Sequence, residues 1–204
     1  MTKIEHRTLG QNLANTRLQK RDDKPARIEG HAAIYYDESD PQGSQYRLWE
    51  DYYERIMPGA FDDAIRNDDV RCLFNHDPSQ VLGRSKSGTL SLSVDSKGLR
   101  YACDCPDTTI GRDVGTMIER GDVSGSSFGF EAVEVQYREQ DGIWYRELLK
   151  VRLYDVSPVT FPAYDGTTTE IARRSLDQHR KLIGQARGAQ IARDLALLEL
   201  GPRD

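Results

Sequence analysis

The dipeptide Asp141-Gly142 divides a long run of alternating residues, and this run constrains the fold of the chain more than any other feature. Apolar side chains recur at every second position within 126–137 before the dipeptide and within 149–155 after it. Because Asp-Gly is favoured in two-residue turns between antiparallel strands, the pattern predicts a β-hairpin. The alternation shifts by one residue near Glu131-Ala132, which predicts a β-bulge at that point.

Two polar residues near the open end of this hairpin are candidates for chemistry. Ser127 and Asp155 are each about fourteen residues from the turn, so pairing of the two strands brings them to the same end. Ser124 and Ser126 compete for the role of the serine. Ser127 is favoured because it shares a face with Gly129, whose lack of a side chain leaves room for a substrate backbone. The alternative is that this stretch of serines and glycines only forms a turn.

The position of Asp155 predicts that its carboxylate has a partner. Asp155 continues the period-two apolar face of Val151 and Leu153. A carboxylate in such a place is costly to desolvate unless another group pairs with it, and an imidazole is a suitable partner. The alternative is that the strand ends at Tyr154 and Asp155 caps a turn with Ser157-Pro158.

His76 is the histidine best placed to serve as that partner. It stands at the end of the alternating apolar face 70–74, and Asp77-Pro78 is predicted to stop the strand directly after it. The remaining three histidines lie in polar terminal stretches or begin an apolar run: His6, His179 and His31. A hydroxyl nucleophile needs a base and a third group that holds the base, and the chain offers His76, Ser127 and Asp155 in that order. The alternative for His76 is a core histidine bonded to the backbone.

The other segments predict a β-rich body with short helices. Strands are predicted at Gly30–Tyr36 and Trp49–Met57, a loop at Asp37–Gln45, a helix beginning at Pro58, and a second hairpin from Leu90 to Cys103 around a turn at 95–98. The clearest helix runs from Thr109 to Arg120, where apolar residues form one stripe and Gly121 follows.

Three cysteines, Cys72, Cys103 and Cys105, have no spacing typical of disulfide bonds. Together with His76 they suggest a zinc site. We prefer to interpret them as small buried hydrophobic residues, because Cys72 and Cys103 each continue an alternating apolar strand face. No metal site and no cofactor are therefore predicted.

Composition and charge divide the chain of 204 residues into three parts. Residues 1–27 form a polar N-terminal lead-in, residues 28–170 the folded domain, and residues 171–204 a basic helical or flexible tail with a net charge of +3, against −8 for the rest. Four apolar residues of the tail lie on roughly one helical stripe: Ile183, Ile191, Leu195 and Leu198. The tail is interpreted either as a solvated helix or as a removable targeting segment.

Five motifs in one order resemble the prohead, or head maturation, serine proteases of tailed phages. They are Met-Pro-Gly-Ala-Phe at 57–61, Phe-Asn-His-Asp-Pro at 74–78, Gly-Arg at 83–84, a helix followed by Ser-Phe-Gly-Phe at 127–130, and Asp-Val-Ser-Pro-Val-Thr-Phe-Pro-Ala at 155–163. The resemblance extends from about Gly30 to Tyr164.

The resemblance implies roles for the three candidate residues. The histidine and the serine of the family motifs carry onto His76 and Ser127 as base and nucleophile, and Asp155 takes the place of the third member. Such proteases are similar to the herpesvirus assembly proteases, where a second histidine fills that third place. The resemblance, more than periodicity, implies a β-rich α+β fold with a closed or nearly closed antiparallel β-barrel and a few peripheral helices. Residues 159–164 are a candidate source of oxyanion-hole donors.

The function implied is that of a serine endopeptidase, with 28–170 as the protease domain. It would cleave segments of scaffold or major capsid protein, and itself, inside assembling proheads in the host cytoplasm, and it would form a homo-oligomer. The chain has no apolar run of membrane-spanning length and no nucleic-acid motif. Neither a membrane nor a nucleic acid is therefore expected as a partner. The alternative is a non-enzymatic scaffold that keeps the fold and serves as an assembly chaperone.

Overall fold

A computed structural model describes residues 4–22, 24–161 and 166–199 of the chain. Within these residues the elements are, in order, β1 (Glu5–Leu9), α1 (Gln11–Ala14), β2 (Arg17–Gln19), β3 (Arg27–Ile34), α2 (Pro41–Ser44), β4 (Tyr46–Trp49), β5 (Tyr52–Ile56), α3 (Asp62–Asn67), β6 (Arg71–Phe74), β7 (Asp77–Arg84), β8 (Leu90–Val94), β9 (Gly98–Asp104), α4 (Thr109–Arg120), β10 (Gly125–Gln140), β11 (Ile143–Val159) and α5 (Gly166–Glu199).

The larger sheet is built around the hairpin that the sequence predicts. β10 and β11 pair along their full length and are joined by Asp141-Gly142, whose φ angles of 53° and 78° are those of a type I′ turn. β1 adds to the outer side of β10, while β5 and β4 follow beyond β11. β6 also pairs with β11, and β7 pairs with β6. The long hairpin is therefore the centre of a seven-stranded sheet.

A second, four-stranded antiparallel sheet has the order β2-β3-β9-β8. Its inner strand β3, next to β2, lies against β10 and β1 of the first sheet. Side chains of both sheets and of α3 form one apolar core, in which Phe128 contacts Phe61 edge-on and stacks on Phe130. Burial of these aromatic rings contributes to the stability of the packed layers.

The predicted closed antiparallel barrel is wrong. The structure is β-rich with a mixed sheet, because β11 pairs in parallel with β5 over 144–148 and with β6 at Asp155 and Val156. Among the described residues neither sheet closes on itself, and the outer strands β1 and β4 of the first sheet both contact α5. Alternation in the sequence identifies strands, but it does not specify their partners or direction.

Two helices have clear local causes. α4 begins after Thr108, whose hydroxyl accepts a hydrogen bond from Gly111 N–H, and ends at Gly121 with φ of 83°, as predicted. α5 packs on the body through Ala172 and Leu176, and Tyr52 Oη donates to the Ala172 carbonyl. In the predicted tail stripe, Ile183 is 43% exposed. The side chains of Ile191, Leu195 and Leu198 lie outside the described residues.

The N-terminal lead-in contains a strand that the sequence did not reveal. Glu5 and Arg7 of β1 are buried and bond to Glu54 and Arg146, and we call these four residues the ion quartet. Arg7 reaches both carboxylates at 2.9 and 2.6 Å, and Arg146 reaches them at 2.7 and 2.6 Å. Charged residues usually lie on the surface, so the sequence of β1 resembles that of a solvated segment even though Glu5 and Arg7 are buried.

The three cysteines are buried and form no disulfide bonds, which confirms their interpretation as interior residues. Burial raises the pKa of Cys105 to about 11, so its thiol stays protonated near neutral pH. In the described part of the chain, no helix combines the length and the hydrophobicity needed to cross a bilayer.

Candidate active site

Ser127 and Asp155 lie on the same face of the β10–β11 ladder. Ser127 pairs with Ser157, and Gly129 pairs with Asp155. Residues paired across antiparallel strands project to the same side, so these four positions form one polar face. Ser126, on the other face, bonds to Tyr101 Oη at 2.8 Å and is directed into the core. The preference for Ser127 over Ser126 thus agrees with the geometry.

A bulge in β11 separates Asp155 from the apolar face that was predicted to carry it. Phe130 pairs with Leu153, whereas its neighbour Gly129 pairs with Asp155, so the register shifts by one residue between them. Val156 and Leu153 both point into the core, and Asp155 points to the opposite side. The prediction that Asp155 continues the face of Leu153 is wrong, because the extra residue reverses the alternation.

The sequence suggests that the missing side chain of Gly129 leaves room for a substrate backbone. In the structure the carboxylate of Asp155 occupies that space instead. A Cβ placed on Gly129 would overlap Asp155 Oδ2 and lie 3.2 Å from His6 Cδ2. The absent side chain is therefore a requirement for the position of the acid.

His76 lies in a two-residue turn and not at the end of a strand. β6 stops at Phe74, Phe74 pairs with Asp77, and β7 begins at Asp77. Asn75 and His76 have φ angles of 53° and 59°, so both are left-handed. Asp77-Pro78 therefore opens a strand, contrary to the prediction. A left-handed histidine is uncommon and is held here by its surroundings.

Asn75 connects this turn to the end of β11. Its Nδ2 donates to Thr160 Oγ1 at 3.1 Å, and its Oδ1 accepts from Thr160 N–H at 2.9 Å. Its backbone N–H donates to the Pro158 carbonyl at 3.1 Å. Asparagine tolerates the left-handed conformation better than most residues, so one side chain both permits the turn and fixes its position.

The turn places the imidazole of His76 between the other two candidates. His76 Nδ1 lies 2.5 Å from Asp155 Oδ1, and His76 Nε2 lies 2.7 Å from Ser127 Oγ. Ser157 Oγ also donates to Asp155 Oδ1 at 2.8 Å. With the carboxylate facing Nδ1, that nitrogen carries the proton in the neutral ring and Nε2 is free to accept one. The three residues singled out in the sequence therefore form one hydrogen-bonded chain.

Strand β1 contributes two contacts to the serine. Ser127 Oγ donates to the Arg7 carbonyl at 2.9 Å and accepts from Thr8 Oγ1 at 3.1 Å. Ser127 has 0% of its surface exposed. A hydroxyl has one proton, so the Arg7 carbonyl and His76 Nε2 compete for it.

His6, also on β1, is a site residue that sequence reasoning missed. Its ring centroid lies 4.0 Å from that of His76, with the planes tilted by 42°. The two histidines, Thr8 and Asn75 border a cleft of about 290 Å³ that Val159–Phe161 complete. In the sequence, His6 and Thr8 alternate with Glu5, Arg7 and Leu9, as residues on the two faces of a strand do. The charges of Glu5 and Arg7 obscure this strand pattern.

The segment proposed to supply an oxyanion hole reaches the cleft at its first residues. Val159, Thr160 and Phe161 line the cleft, but Thr160 N–H already donates to Asn75 Oδ1. Pro162, Ala163 and Tyr164 lie outside the described residues. Thr160 N–H would have to exchange its partner before it could stabilise an oxyanion.

The ion quartet fixes β1 beside the site. Burial opposes the charge of Glu5, but bonds to Arg146 and Arg7 outweigh that cost and hold the pKa of Glu5 below its ordinary value near 4.5. Burial likewise opposes the charge of Arg146, but Glu54 and Glu5 raise its pKa well above the ordinary value. The ion pairs of the quartet position the backbone that carries His6 and Thr8.

Known proteins resemble this chain in sequence and in fold. A family model described as Caudovirus prohead serine protease matches residues 14–182. The solved structure of the bacteriophage T4 capsid assembly protease, gp21, is similar in fold with a TM-score of 0.51 at 12% sequence identity, covering 78% of this chain and 98% of that chain. No curated protein sequence matches. Since the family model spans most of the sequence, this chain belongs to the Caudovirus prohead serine protease family.

Proposed function

We propose that this chain is a serine endopeptidase in which Ser127 is the nucleophile, His76 the general base and Asp155 the residue that holds the base. The observation that carries the proposal is the hydrogen-bonded chain from Asp155 Oδ1 through both nitrogens of His76 to Ser127 Oγ, at 2.5 and 2.7 Å. The 2.7 Å between Ser127 Oγ and His76 Nε2 lies within the range required for proton transfer between a hydroxyl and an imidazole.

The reaction is acyl transfer in two steps. Ser127 Oγ attacks a peptide carbonyl while its proton passes to His76 Nε2, and His76 then gives that proton to the leaving amine. Water, deprotonated by the same nitrogen, releases the acyl group from the serine ester. Asp155 accepts the Nδ1–H bond throughout and offsets the charge of the imidazolium.

The nucleophile must change its hydrogen bond before it attacks. In the structure Ser127 donates to the Arg7 carbonyl, and its surface is fully covered. Rotation of the hydroxyl directs the proton to His76 Nε2, and displacement of the side chains around the cleft admits the carbonyl. Thr8 Oγ1 donates to Ser127 Oγ and so leaves the proton of Ser127 available for His76.

Membership in the family supports a substrate and a place of action. We propose that the substrates are segments of scaffold or major capsid protein, and the protease itself, and that cleavage takes place in assembling heads in the host cytoplasm. We also propose that the protease self-associates there, which would concentrate enzyme and substrate in one particle.

Coexpression with the cognate capsid protein tests the assignment. We expect the wild-type chain to process the capsid protein, and Ser127→Ala or His76→Ala to lower the rate by about six orders of magnitude. Ser126→Ala is the matched control, because Ser126 is an adjacent buried serine on the opposite face. Gels, intact mass and labelling by a serine-directed fluorophosphonate with peptide mapping provide the readout. Unchanged processing in Ser127→Ala would leave the non-enzymatic assembly chaperone as the better explanation.

A further inference from the structure

We propose that His6, His76 and Asp155 bind a transition-metal ion such as Zn²⁺, and that the bound ion inhibits the protease. A ligand atom from each of the three lies within 4.8 Å of the others. In the described residues this group contains none of the three cysteines, so it differs from the zinc site considered from the sequence.

The ligand chemistry suits zinc and its neighbours in the first transition series. Two imidazoles and one carboxylate are a common three-ligand set, in which water occupies the fourth position. Zn–N and Zn–O bonds of about 2.0–2.2 Å place tetrahedral ligand atoms about 3.3 Å apart. Reaching that spacing requires rotation of the side chains, which draws together donors that lie within 4.8 Å and moves His76 Nδ1 away from Asp155 Oδ1, 2.5 Å from it in the structure.

The backbone around both histidines is fixed, which favours binding. His6 lies on β1 between Glu5 and Arg7, and both of these side chains are held in the ion quartet. His76 lies in a turn that Asn75 ties to Thr160. The cleft of about 290 Å³ gives an ion access to both rings. Ligands held on rigid elements lose little conformational freedom on binding, so a modest ligand set gives useful affinity.

Metal binding and catalysis exclude one another at His76. An ion on Nε2 takes the lone pair that would accept the Ser127 proton, and an ion on Nδ1 displaces the bond to Asp155. Nδ1 and Oδ1 are only 2.5 Å apart, too close for both to ligate one ion unless their hydrogen bond breaks. Inhibition rests on the proposed protease function, whereas binding itself does not.

Binding is measured on the full-length Ser127→Ala variant, which cannot degrade itself by the proposed mechanism. Calorimetry with ZnCl₂ and visible absorption with CoCl₂ report affinity, stoichiometry and coordination. We expect one ion per chain, and binding at least about tenfold weaker when His6→Gln is added, because the loss of even an indirect ligand contact has that effect. His31→Gln is the matched control, since His31 pairs with Asp95 at 2.9 Å on the other sheet.

Inhibition is then measured with wild-type protease, the capsid protein and increasing Zn²⁺, followed by excess chelator. Reversible inhibition with a midpoint shifted at least about tenfold by His6→Gln supports the proposal. Equal binding with and without His6, or binding lost only in His31→Gln, overturns it. If the chain binds metal through His6 but has no proteolytic activity, the proposed function and the proposed inhibition are both contradicted. The metal site itself would still be supported. If the chain cleaves the capsid protein but binds no metal, the metal site is contradicted and the proposed protease function stands.

Discussion

Gly129 faces Asp155 across the β10–β11 ladder, and the carboxylate of Asp155 occupies the space that a side chain at position 129 would need. The carboxylate has little freedom to move away, because it bonds to both His76 and Ser157. A residue without a side chain thus controls the position of the acid.

Gly129→Ala is expected to lower kcat by about 100-fold or more, because a displacement of about 1 Å at a catalytic group has that effect. The added methyl group would overlap Asp155 Oδ2, so the carboxylate that bonds to His76 must move. Kinetic assays on capsid-protein cleavage measure the loss. Gly184→Ala in α5 is the control, since nothing lies within 4 Å of a Cβ at that position. Full activity in Gly129→Ala would contradict the requirement for glycine.

Asp155→Asn is expected to lower kcat by about 10⁴-fold with little change in folding, because an amide no longer selects the tautomer with the proton on Nδ1. Single-turnover cleavage and circular dichroism provide the two measurements. Asp95→Asn alters a second His–Asp pair, formed with His31, and should leave cleavage unchanged. Similar losses in both variants would argue against a specific role for Asp155.

Substitutions of Asn75 should separate the conformation of the turn from its attachment to β11. Asn75→Gly permits the left-handed backbone but loses the side-chain bonds to Thr160. Asn75→Ala loses the same bonds, with an additional strain of about 1–2 kcal/mol. We expect activity to fall in the order wild type, Gly, Ala, and the melting temperature to fall most for Ala. A melting temperature for Ala at or above that of Gly would show that the turn does not require a left-handed residue.

Removal of one charge from the ion quartet should destabilise the fold strongly. Glu54→Gln leaves Arg7 and Arg146 with an uncompensated positive charge in the interior, at a cost of about 3–5 kcal/mol. Urea unfolding measures the change. Glu119→Gln removes an exposed partner of Lys20 and should alter the free energy of unfolding by less than about 1 kcal/mol. Equal effects of the two substitutions would show that burial of the quartet contributes nothing.

Acid should weaken the fold through Glu5. Its folded pKa lies below its ordinary value near 4.5, so its contribution to stability is complete above that pH and is lost as the pH falls through the folded pKa. The free energy of unfolding should therefore fall with pH in this window. Glu5→Gln should start from lower stability and show a smaller slope. Parallel curves for wild type and variant would contradict the linkage.

Local signals in the sequence predicted the elements that carry the site. Asp141-Gly142 located the central hairpin, and Gly121 marked the end of α4. Ser127 and Asp155 lie near each other because positions at similar distances from a tight turn come close across a hairpin, although Ser127 pairs with Ser157 and Asp155 with Gly129. These features depend on neighbours in sequence, so a single sequence contains the information needed to predict them.

Features that depend on distant neighbours were missed. β1 was hidden because Glu5 and Arg7 are buried only through Glu54 and Arg146, so their sequence alone suggests a solvated segment. The bulge that redirects Asp155 and the parallel pairing of β11 likewise depend on tertiary packing. His6 was dismissed for the same reason, although it lies in contact with His76.

The strand that carries Ser127 lies between one neighbour from the beginning of the chain and another from near residue 159. During synthesis, the ribosome must release nearly the whole folded body before this strand has both neighbours. A nascent chain that stops before Asp155 lacks the acid entirely. The order of translation thus delays assembly of the proposed active site until Asp155 has left the ribosome.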